Sequence, residues 1–421
     1  MRGATRMRGR WLAALAASAL LHAAHAAPGE AVVTEFPQPA LRAEDLGVIV
    51  NDDDPDSVAL AAYYMEKRGI PATNLIHVRF QPGRPTLPRE EFVNLKRRLE
   101  RKTPRHVQAY ALTWTQPWRV DCMSITTAFA FGFDPAFCAK DCKPTRESPY
   151  FNSNTPRPFD TYRMRPTMSL AAANLDAARR LIDRGVASDG SNPDGTAYLV
   201  STPDKARNVR AAAFHALQMQ LGKAFVTEIV EADRIENKPD VMFYFTGLAH
   251  VPAIERNSYL PGAIADHLTS FGGDLSGNSQ MSSLAWIDAG ATGSYGTVTE
   301  PCNFPTKFPQ PGIAMVHYLQ GETLIEAYWK SVQMPGQGLF IGEPLARPFA
   351  GVAHHAEGGG LAVSARLLAP GLYDVRAAPS MMGPYQRVGR IPVAPGTREI
   401  RLRQVPPAYY RFERHEPTRV P

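Results

Sequence analysis

After its first 26 residues the sequence lacks long apolar runs, after residue 345 it lacks lysine, and it contains only four cysteines. No later segment reaches the roughly 18 unbroken apolar residues that a membrane-spanning helix needs. The chain has 421 residues, of which 44% are hydrophobic, 20% charged and 9% aromatic. This composition excludes disorder, collagen and a coiled coil, and it supplies a core for one large or two medium domains.

The N-terminus has the pattern of a secretory signal peptide. Four arginines between residues 2 and 10 precede the apolar run 11–21, and Ala24, His25 and Ala26 form a small-x-small cleavage signal. We therefore predict cleavage near Ala26 and a periplasmic or secreted mature protein. Removing residues 1–26 lowers the net charge from +6 to +2, which removes the main support for a nucleic-acid partner.

Export makes disulfides the expected state of the four cysteines. Four cysteines allow three pairings, and the short spacing of Cys138 and Cys142 favours a small stapled loop, which leaves Cys122 to pair with Cys302. If Cys122 were unpaired, Cys302 would be a free thiol nucleophile. No histidine lies between Cys122 and Cys142, so neither a metal site nor another cofactor is predicted.

Hydrophobic periodicity predicts an α/β fold. Apolar strands are expected at residues 46–50, 74–80 and 107–114, with amphipathic helices at 57–68 and 87–102 between them. This alternation favours a three-layer sandwich with a mainly parallel sheet. Further on, helices are predicted at 168–184, 206–221, 281–288, 313–319 and 324–332, and strands at 197–201, 225–230, 241–246 and 291–298.

The same patterns predict a domain organisation. A Pro-rich linker or edge arm spans residues 27–45, an α/β domain spans 46–345, and a disulfide-pinned insertion occupies 115–167. Residues 346–421 have the alternation and turns of a small antiparallel β-sandwich. They carry eleven arginines against five acidic residues, which allows contact with an anionic surface or, alternatively, local pairing of the arginines on a solvated strand face.

Two strand ends carry polar or aromatic clusters where an open α/β sheet binds ligands. Residues 51–54 read Asn-Asp-Asp-Asp, and these carboxylates either bind Mg²⁺ or Ca²⁺ or, as we prefer, cap the following helix. After the third strand, Trp114, Trp118 and Arg119 either form a sugar-stacking platform or pack beneath the insertion.

Candidate catalytic residues cluster after the strand at 241–246. His250 follows that strand, and Asp266, His267 and Ser270 precede a Gly-Gly turn. A histidine beside a carboxylate and hydroxyl groups is a candidate general base, so either His267 or His250 would be the base, with Ser270 or Cys302 as the nucleophile. The alternative is that these side chains satisfy backbone groups in a helix start or loop.

Several longer motifs resemble an uncharacterised exported bacterial family that is associated with genomes carrying exosortase. The resemblance runs from about residue 46 to 345 and implies no assigned activity. The motifs that carry it are ALTWTQP at 111–117, MFYFTG at 242–247, LPGAIADHLTS at 260–270, QMSS at 280–283 and AGATGSYGT at 289–297.

A fainter resemblance links the chain to the caspase-like peptidase fold, particularly gingipain-type enzymes. Those enzymes place His-Gly after one strand and a nucleophilic cysteine after the next. Here the first position has Thr246 and Gly247, with His250 three residues beyond, and the second has no cysteine. The resemblance implies a caspase-like arrangement of the sheet, with a flavodoxin-like arrangement as the alternative.

Two functions are therefore expected. The first is an exported, envelope-associated accessory protein linked to exosortase or exopolysaccharide systems, with envelope or exopolysaccharide components as its partners. The second is a caspase-like hydrolase or peptidase, active or degenerate.

Overall fold

The computed structural model describes residues 33–35, 40–139, 142–222, 224–277, 279–350, 352–356, 360–364, 371–379, 384–394, 397, 399–402 and 409–415. The predicted signal peptide lies outside these residues, as does most of the segment 27–39. Helices flank a ten-stranded, mostly parallel sheet, and smaller antiparallel sheets follow in the C-terminal region. The predicted α/β class is thus confirmed.

The strands and α-helices are numbered in chain order. The strands are β1 Val33–Glu35, β2 Leu46–Asn51, β3 Leu75–Val78, β4 Ala109–Leu112, β5 Arg119–Val120, β6 Met123–Ser124, β7 Thr167–Ser169, β8 Thr196–Ser201, β9 Val226–Glu231, β10 Val241–Thr246, β11 Tyr259–His267, β12 Gly293–Thr297, β13 Gly338–Gly342, β14 Val352–Ala356, β15 Gly360–Ser364, β16 Gly371–Ala378, β17 Gln386–Val393, β18 Glu399–Leu402 and β19 Tyr409–Arg414. The α-helices are α1 Pro55–Arg68, α2 Arg89–Lys102, α3 Ile125–Phe131, α4 Pro158–Tyr162, α5 Leu175–Ser188, α6 Phe214–Leu221, α7 Leu284–Ala289, α8 Pro311–Leu319 and α9 Leu324–Ser331.

The large sheet consists of two parallel halves that run in opposite directions. Its order is β3-β2-β4-β7-β13-β12-β11-β10-β8-β9. Every neighbouring pair is parallel except β12 and β13, which are antiparallel from Gly293 opposite Gly342 to Thr297 opposite Gly338. The carboxyl ends of the two halves therefore lie at opposite edges of the sheet.

Burial on both faces explains the continuous apolar strands. All six residues of β2 and all six of β10 are buried. Successive side chains of β2 alternate between two cores, because Val48 and Val50 pack with α1 whereas Ile49 packs with α2. A sheet covered by helices on both sides favours such runs over polar-apolar alternation.

Three segments differ from the prediction. The N-terminal part of the helix expected at 168–184 is strand β7, and the helix that follows, α5, begins only at Leu175 because Asn174 caps it. Strands β11 and β13 were not predicted. Pro261 and Gly262 interrupt the apolar pattern of β11, and β13 is a five-residue segment bounded by glycines.

The C-terminal region contains two small sheets that share a core. One has the order β14-β15-β18, and the other has the order β1-β19-β16-β17, in which β1 is parallel to β19 and the remaining pairs are antiparallel. Ile400 of the first sheet packs in one cluster with Tyr373, Val375 and Phe412 of the second. The segment preceding the large sheet thus supplies an edge strand, while the predicted domain boundaries stay predictions.

The disulfide pairing differs from the one expected. Cys122 is bonded to Cys138, and Cys142 is bonded to Cys302. The expected Cys138–Cys142 bond is therefore wrong. Cys142 lies beside the segment that follows β12. Cys122 is near that segment too, since its backbone oxygen accepts a hydrogen bond from Thr299 Oγ1 at 3.0 Å. Spacing in the sequence alone does not reveal this proximity.

We expect the two disulfides to contribute unequally to stability. Cys142–Cys302 spans 160 residues and Cys122–Cys138 spans 16. On the chain-entropy description of the unfolded state, the longer loop corresponds to about 5 kcal/mol and the shorter to about 3 kcal/mol. Denaturant unfolding of the double variants Cys142→Ala/Cys302→Ala and Cys122→Ala/Cys138→Ala should show the first to be less stable by about 2 kcal/mol. Equal losses would contradict the entropic account.

Candidate functional site

The first parallel half has a crevice at the carboxyl ends of β2, β4 and β7. The chain leaves β2 through α1 to reach β3 on one side, and it then returns through α2 to β4 on the other side. Such a reversal of strand order opens a gap where ligands commonly bind in α/β sheets. The gap here has a volume of about 460 Å³, and we call it the switch-point crevice.

Two capped helices begin at this crevice. Asp54 Oδ1 accepts a hydrogen bond from the Asp56 backbone N–H at 3.1 Å, and Pro55 occupies the first position of α1. Asn174 Oδ1 caps α5 by accepting from the Ala177 N–H at 2.9 Å. The capping interpretation of Asp54 is thus confirmed, and the positive ends of both helix dipoles face the crevice.

The adjacent carboxylates do not converge on a common point. Asp52 pairs with His77, with 2.7 Å between carboxylate oxygen and Nδ1, and Asp53 pairs with Arg79 at 2.7 Å. Within the described residues, no group of three or more His, Cys, Asp or Glu side chains is placed to hold a metal ion.

A hydroxyl network fixes the floor of the crevice. Ser57 Oγ and Thr113 Oγ1 are 2.7 Å apart, and Thr113 also donates to the Ile49 carbonyl at 3.1 Å. Ser57 Oγ in addition accepts from the Asn51 N–H at 3.0 Å. These bonds tie the ends of β2 and β4 to the first turn of α1, so the floor is held by buried polar contacts.

The side chains that line the crevice include polar, apolar and acidic ones. None of the described residues that line it is basic. Its carboxylates are Asp54 and Asp56, and its leucines come from α1, α5, α7 and two loops. The other polar side chains that line it are Ser57, Thr113, Thr115, Gln116 and Asn174. Sequence reasoning missed Ser57, the first residue of a predicted helix, and Thr113, which lies within a predicted strand; the position of both at the point where the strand order reverses is the signal that would have found them.

The predicted sugar-stacking platform is wrong, because both of its tryptophans are buried. Trp114 is 3% and Trp118 is 4% exposed. Trp114 packs edge-on against Phe80 at 5.0 Å and forms only part of the crevice wall. Arg119 lies over the ring of Trp118, with 5.0 Å from its guanidinium carbon to the ring centroid, and its Nε donates to Thr86 Oγ1 at 2.8 Å. The three residues therefore form no open face for a sugar ring.

The predicted catalytic residues lie at the opposite edge, near the end of β11, but they do not form a catalytic group. Asp266 and His267 are consecutive strand residues, so their side chains point to opposite faces of the sheet. Asp266 pairs with Arg210, with 2.6 Å between Oδ1 and Nη1. Burial raises the pKa of Asp266, although Arg210 opposes this effect.

His267 has both ring nitrogens engaged in the interior. Its Nδ1 accepts from the Trp286 indole N–H at 2.9 Å, and its Nε2–H therefore donates to the Met281 carbonyl at 3.0 Å. Burial lowers the pKa of His267 to about 3. The His267 ring is therefore neutral and buried, and it bridges the Trp286 indole and the Met281 carbonyl. This fits the alternative to catalysis, in which these side chains satisfy backbone groups.

The remaining candidates do not complete a catalytic group with this pair. Cys302 is in a disulfide and has no thiol to act as a nucleophile. His250 is exposed and Ser270 is half-buried. Among the described residues, no hydrogen bond joins His250 or Ser270 to Asp266 or to His267.

The arginines of the C-terminal region form local ion pairs. Arg390 Nε lies 2.7 Å from Asp374, Arg387 approaches the same carboxylate, and Arg376 pairs with Glu413 at 2.6 Å. The pKa of Asp374 falls to about 2, with the hydrogen bond from Arg390 as the main cause. Contact with an anionic surface stays a prediction.

Comparison with known proteins adds little. No protein-family model and no curated protein matches the chain. A solved structure described as "Structure of Protease" aligns with a TM-score of 0.40 and 9% identity over 79% of this chain and 86% of that chain. A similarity of this degree says nothing about activity. Because no family model matches, the resemblance to the exosortase-associated family stays a prediction.

We expect His267 to make the protein less stable in acid. The unfolded state binds a proton below pH 6.5, whereas the folded state resists protonation of His267 down to about pH 3. Stability from this residue is therefore present above pH 6.5 and is lost as the pH falls towards 3. Between pH 7 and pH 5 the loss should be about 2 kcal/mol.

The control is His267→Gln, which keeps an acceptor and a donor but does not titrate. Unfolding curves at the two pH values should show a smaller pH dependence for this variant. In ring-nitrogen NMR spectra of the parent protein, His267 should remain neutral at pH 5, and a protonated ring at that pH would contradict the assignment.

Proposed function

We propose that the protein is an exported, envelope-associated accessory protein that binds an uncharged saccharide in the switch-point crevice without turning it over. The observation that carries this proposal is the crevice itself, which has a ligand-sized volume, sits at a reversal of strand order, and has no basic residue among the described residues that line it. Exosortase or exopolysaccharide systems are the setting we infer from the sequence motifs.

The chemistry of the lining supports a polyhydroxylated ligand. Asp56 is exposed at the rim and offers carboxylate oxygens, while Gln116 and Asn174 offer amide groups. Sugar hydroxyl groups both donate and accept, which suits such a mixture. The apolar faces of a sugar ring suit Leu60 and Leu275. Carboxylates at the rim disfavour phosphorylated or carboxylated sugars, because like charges repel.

Two features support export. The N-terminal pattern is that of a cleaved leader, and all four cysteines form disulfides, which persist in oxidising compartments. None of the helices within the described ranges combines the length and apolar character needed to cross a bilayer.

The hydrolase alternative lacks a supporting observation at its expected site. A peptidase mechanism through Cys302 needs a free thiol, and general-base chemistry through His267 needs an available ring nitrogen. Neither is present. Hydrolysis would have to depend on other residues.

The crevice assignment is tested by filling the crevice. Ala173 is exposed and lines it, so Ala173→Trp should abolish binding without disturbing the core. The matched control is Ala187→Trp, at an exposed position of α5 away from the crevice. Binding is measured by saturation-transfer NMR and calorimetry with neutral gluco-, manno- and chito-oligosaccharides.

In the same experiment, Asp56→Asn should weaken the affinity by about tenfold, because a charge-assisted hydrogen bond becomes a neutral one. The oligosaccharide should be recovered intact after prolonged incubation. Absence of saturable binding to every oligosaccharide, or equal binding by the two tryptophan variants, would refute the saccharide assignment.

Export is tested separately by the N-terminus of the protein that is isolated from cells. We expect mass spectrometry to find a chain that begins at Ala27, with no free thiol. A chain that retains residues 1–26, or one with reduced cysteines, would count against export.

A further inference from the structure

The second parallel half also has an opening at its carboxyl edge. A cleft of about 660 Å³ lies between the segment 208–221, which follows β8, and the start of α8, which follows β12. We call it the second cleft. It lies at the edge of the sheet opposite the switch-point crevice, and the two openings share no lining residue.

Small side chains create this space. Ala212, Ala213 and Ala216 line one wall, and Gly312 and Ile313 line the other. The three alanines are exposed although they face an apolar wall. Larger residues at these positions would close the gap, so the cleft is an apolar surface left uncovered between two packed segments.

The floor of the second cleft carries a neutralised charge. Arg210 lines it, is 5% exposed, and pairs with Asp266 at 2.6 Å. The Nη groups also donate to the carbonyls of Pro309 and Thr246, whereas the buried Nε has no hydrogen-bond partner in the structure. Because no other charged residue among those described lines the cleft, its floor favours an uncharged ligand.

One rim of the second cleft carries the side-chain amide of Asn152, which is fixed by a hydrogen bond. Asn152 is exposed there, and its Oδ1 lies 3.1 Å from His317 Nε2. Buried His317 is in turn held at Nδ1 by Glu322 at 3.0 Å, and Glu322 also accepts from Lys330 at 2.8 Å. Whichever way the amide is turned, at least one of its N–H groups remains free to donate to a ligand.

We propose that the second cleft binds a single-chain uncharged acyl ester, with the chain along the alanine wall and the ester carbonyl accepting from Asn152. The acyl chain would pack against the apolar wall. The ligand would be uncharged because Arg210 is already paired at the floor, and the ester carbonyl would accept a hydrogen bond from the Asn152 amide. A cavity of this size is in the range that small ligands occupy.

The proposal is tested with N-phenylnaphthylamine, an uncharged fluorescent probe, and monododecanoylglycerol as its competitor. The probe should bind, and the ester should displace it. Ala216→Phe should abolish both events, whereas Met219→Phe, at a 79% exposed position on the same helix, should change neither. Probe binding that survives Ala216→Phe would place the probe elsewhere and overturn the proposal.

The ester contact is tested by Asn152→Gly, which removes the amide and tolerates the backbone φ of 48° at this position. The affinity for the ester should fall by about three- to tenfold, the value of one hydrogen bond, while the affinity for the probe stays constant. Equal loss for both would refute a specific carbonyl contact. Stronger displacement by dodecanoate than by its ester would refute the uncharged class of ligand.

Discussion

The antiparallel pairing of β12 with β13 determines where everything else in the large sheet lies. A parallel sheet collects its loops and helix N-termini at one edge, so a single reversal of direction divides them between two edges. One edge receives the ends of β2, β4 and β7, and the other receives the ends of β8, β10, β11 and β12. The switch-point crevice and the second cleft follow from this division, since the first opens at the carboxyl ends of one half of the sheet and the second at those of the other.

The loop that follows β11 lies in close backbone contact with β12. Gly296 of β12 lies against Gly272, and a Cβ added to Gly296 would stand 2.2 Å from the Gly272 carbonyl carbon. No side chain fits in that space, so the loop after β11 is pressed directly onto the centre of the sheet. This contact, together with the hydrogen bonds that join His267 to the Met281 carbonyl and to the Trp286 indole, holds residues 268–277 and 279–283 against the sheet and keeps Asp266 and His267 buried.

The sequence predicted the fold better than the site. Apolar runs such as β2 and β10 were identified because burial on both faces requires continuous hydrophobic residues. Strand β11 was missed for two reasons. Pro261 and Gly262 interrupt its apolar pattern, and its last two residues, Asp266 and His267, are polar yet buried, which a local pattern does not distinguish from a solvated loop. Strand direction and the partners of the cysteines depend on contacts between distant segments, which composition and spacing do not encode.

The Cys142–Cys302 bond also affects how the protein withstands proteolysis. It encloses all five strands of the second half of the large sheet, β8 to β12, together with β7 of the first half, within one covalent ring. A protease that cuts the chain once inside this ring leaves the two pieces attached to each other, and the strands they contribute can stay paired. A protein built in this way tolerates nicking that would separate an open chain.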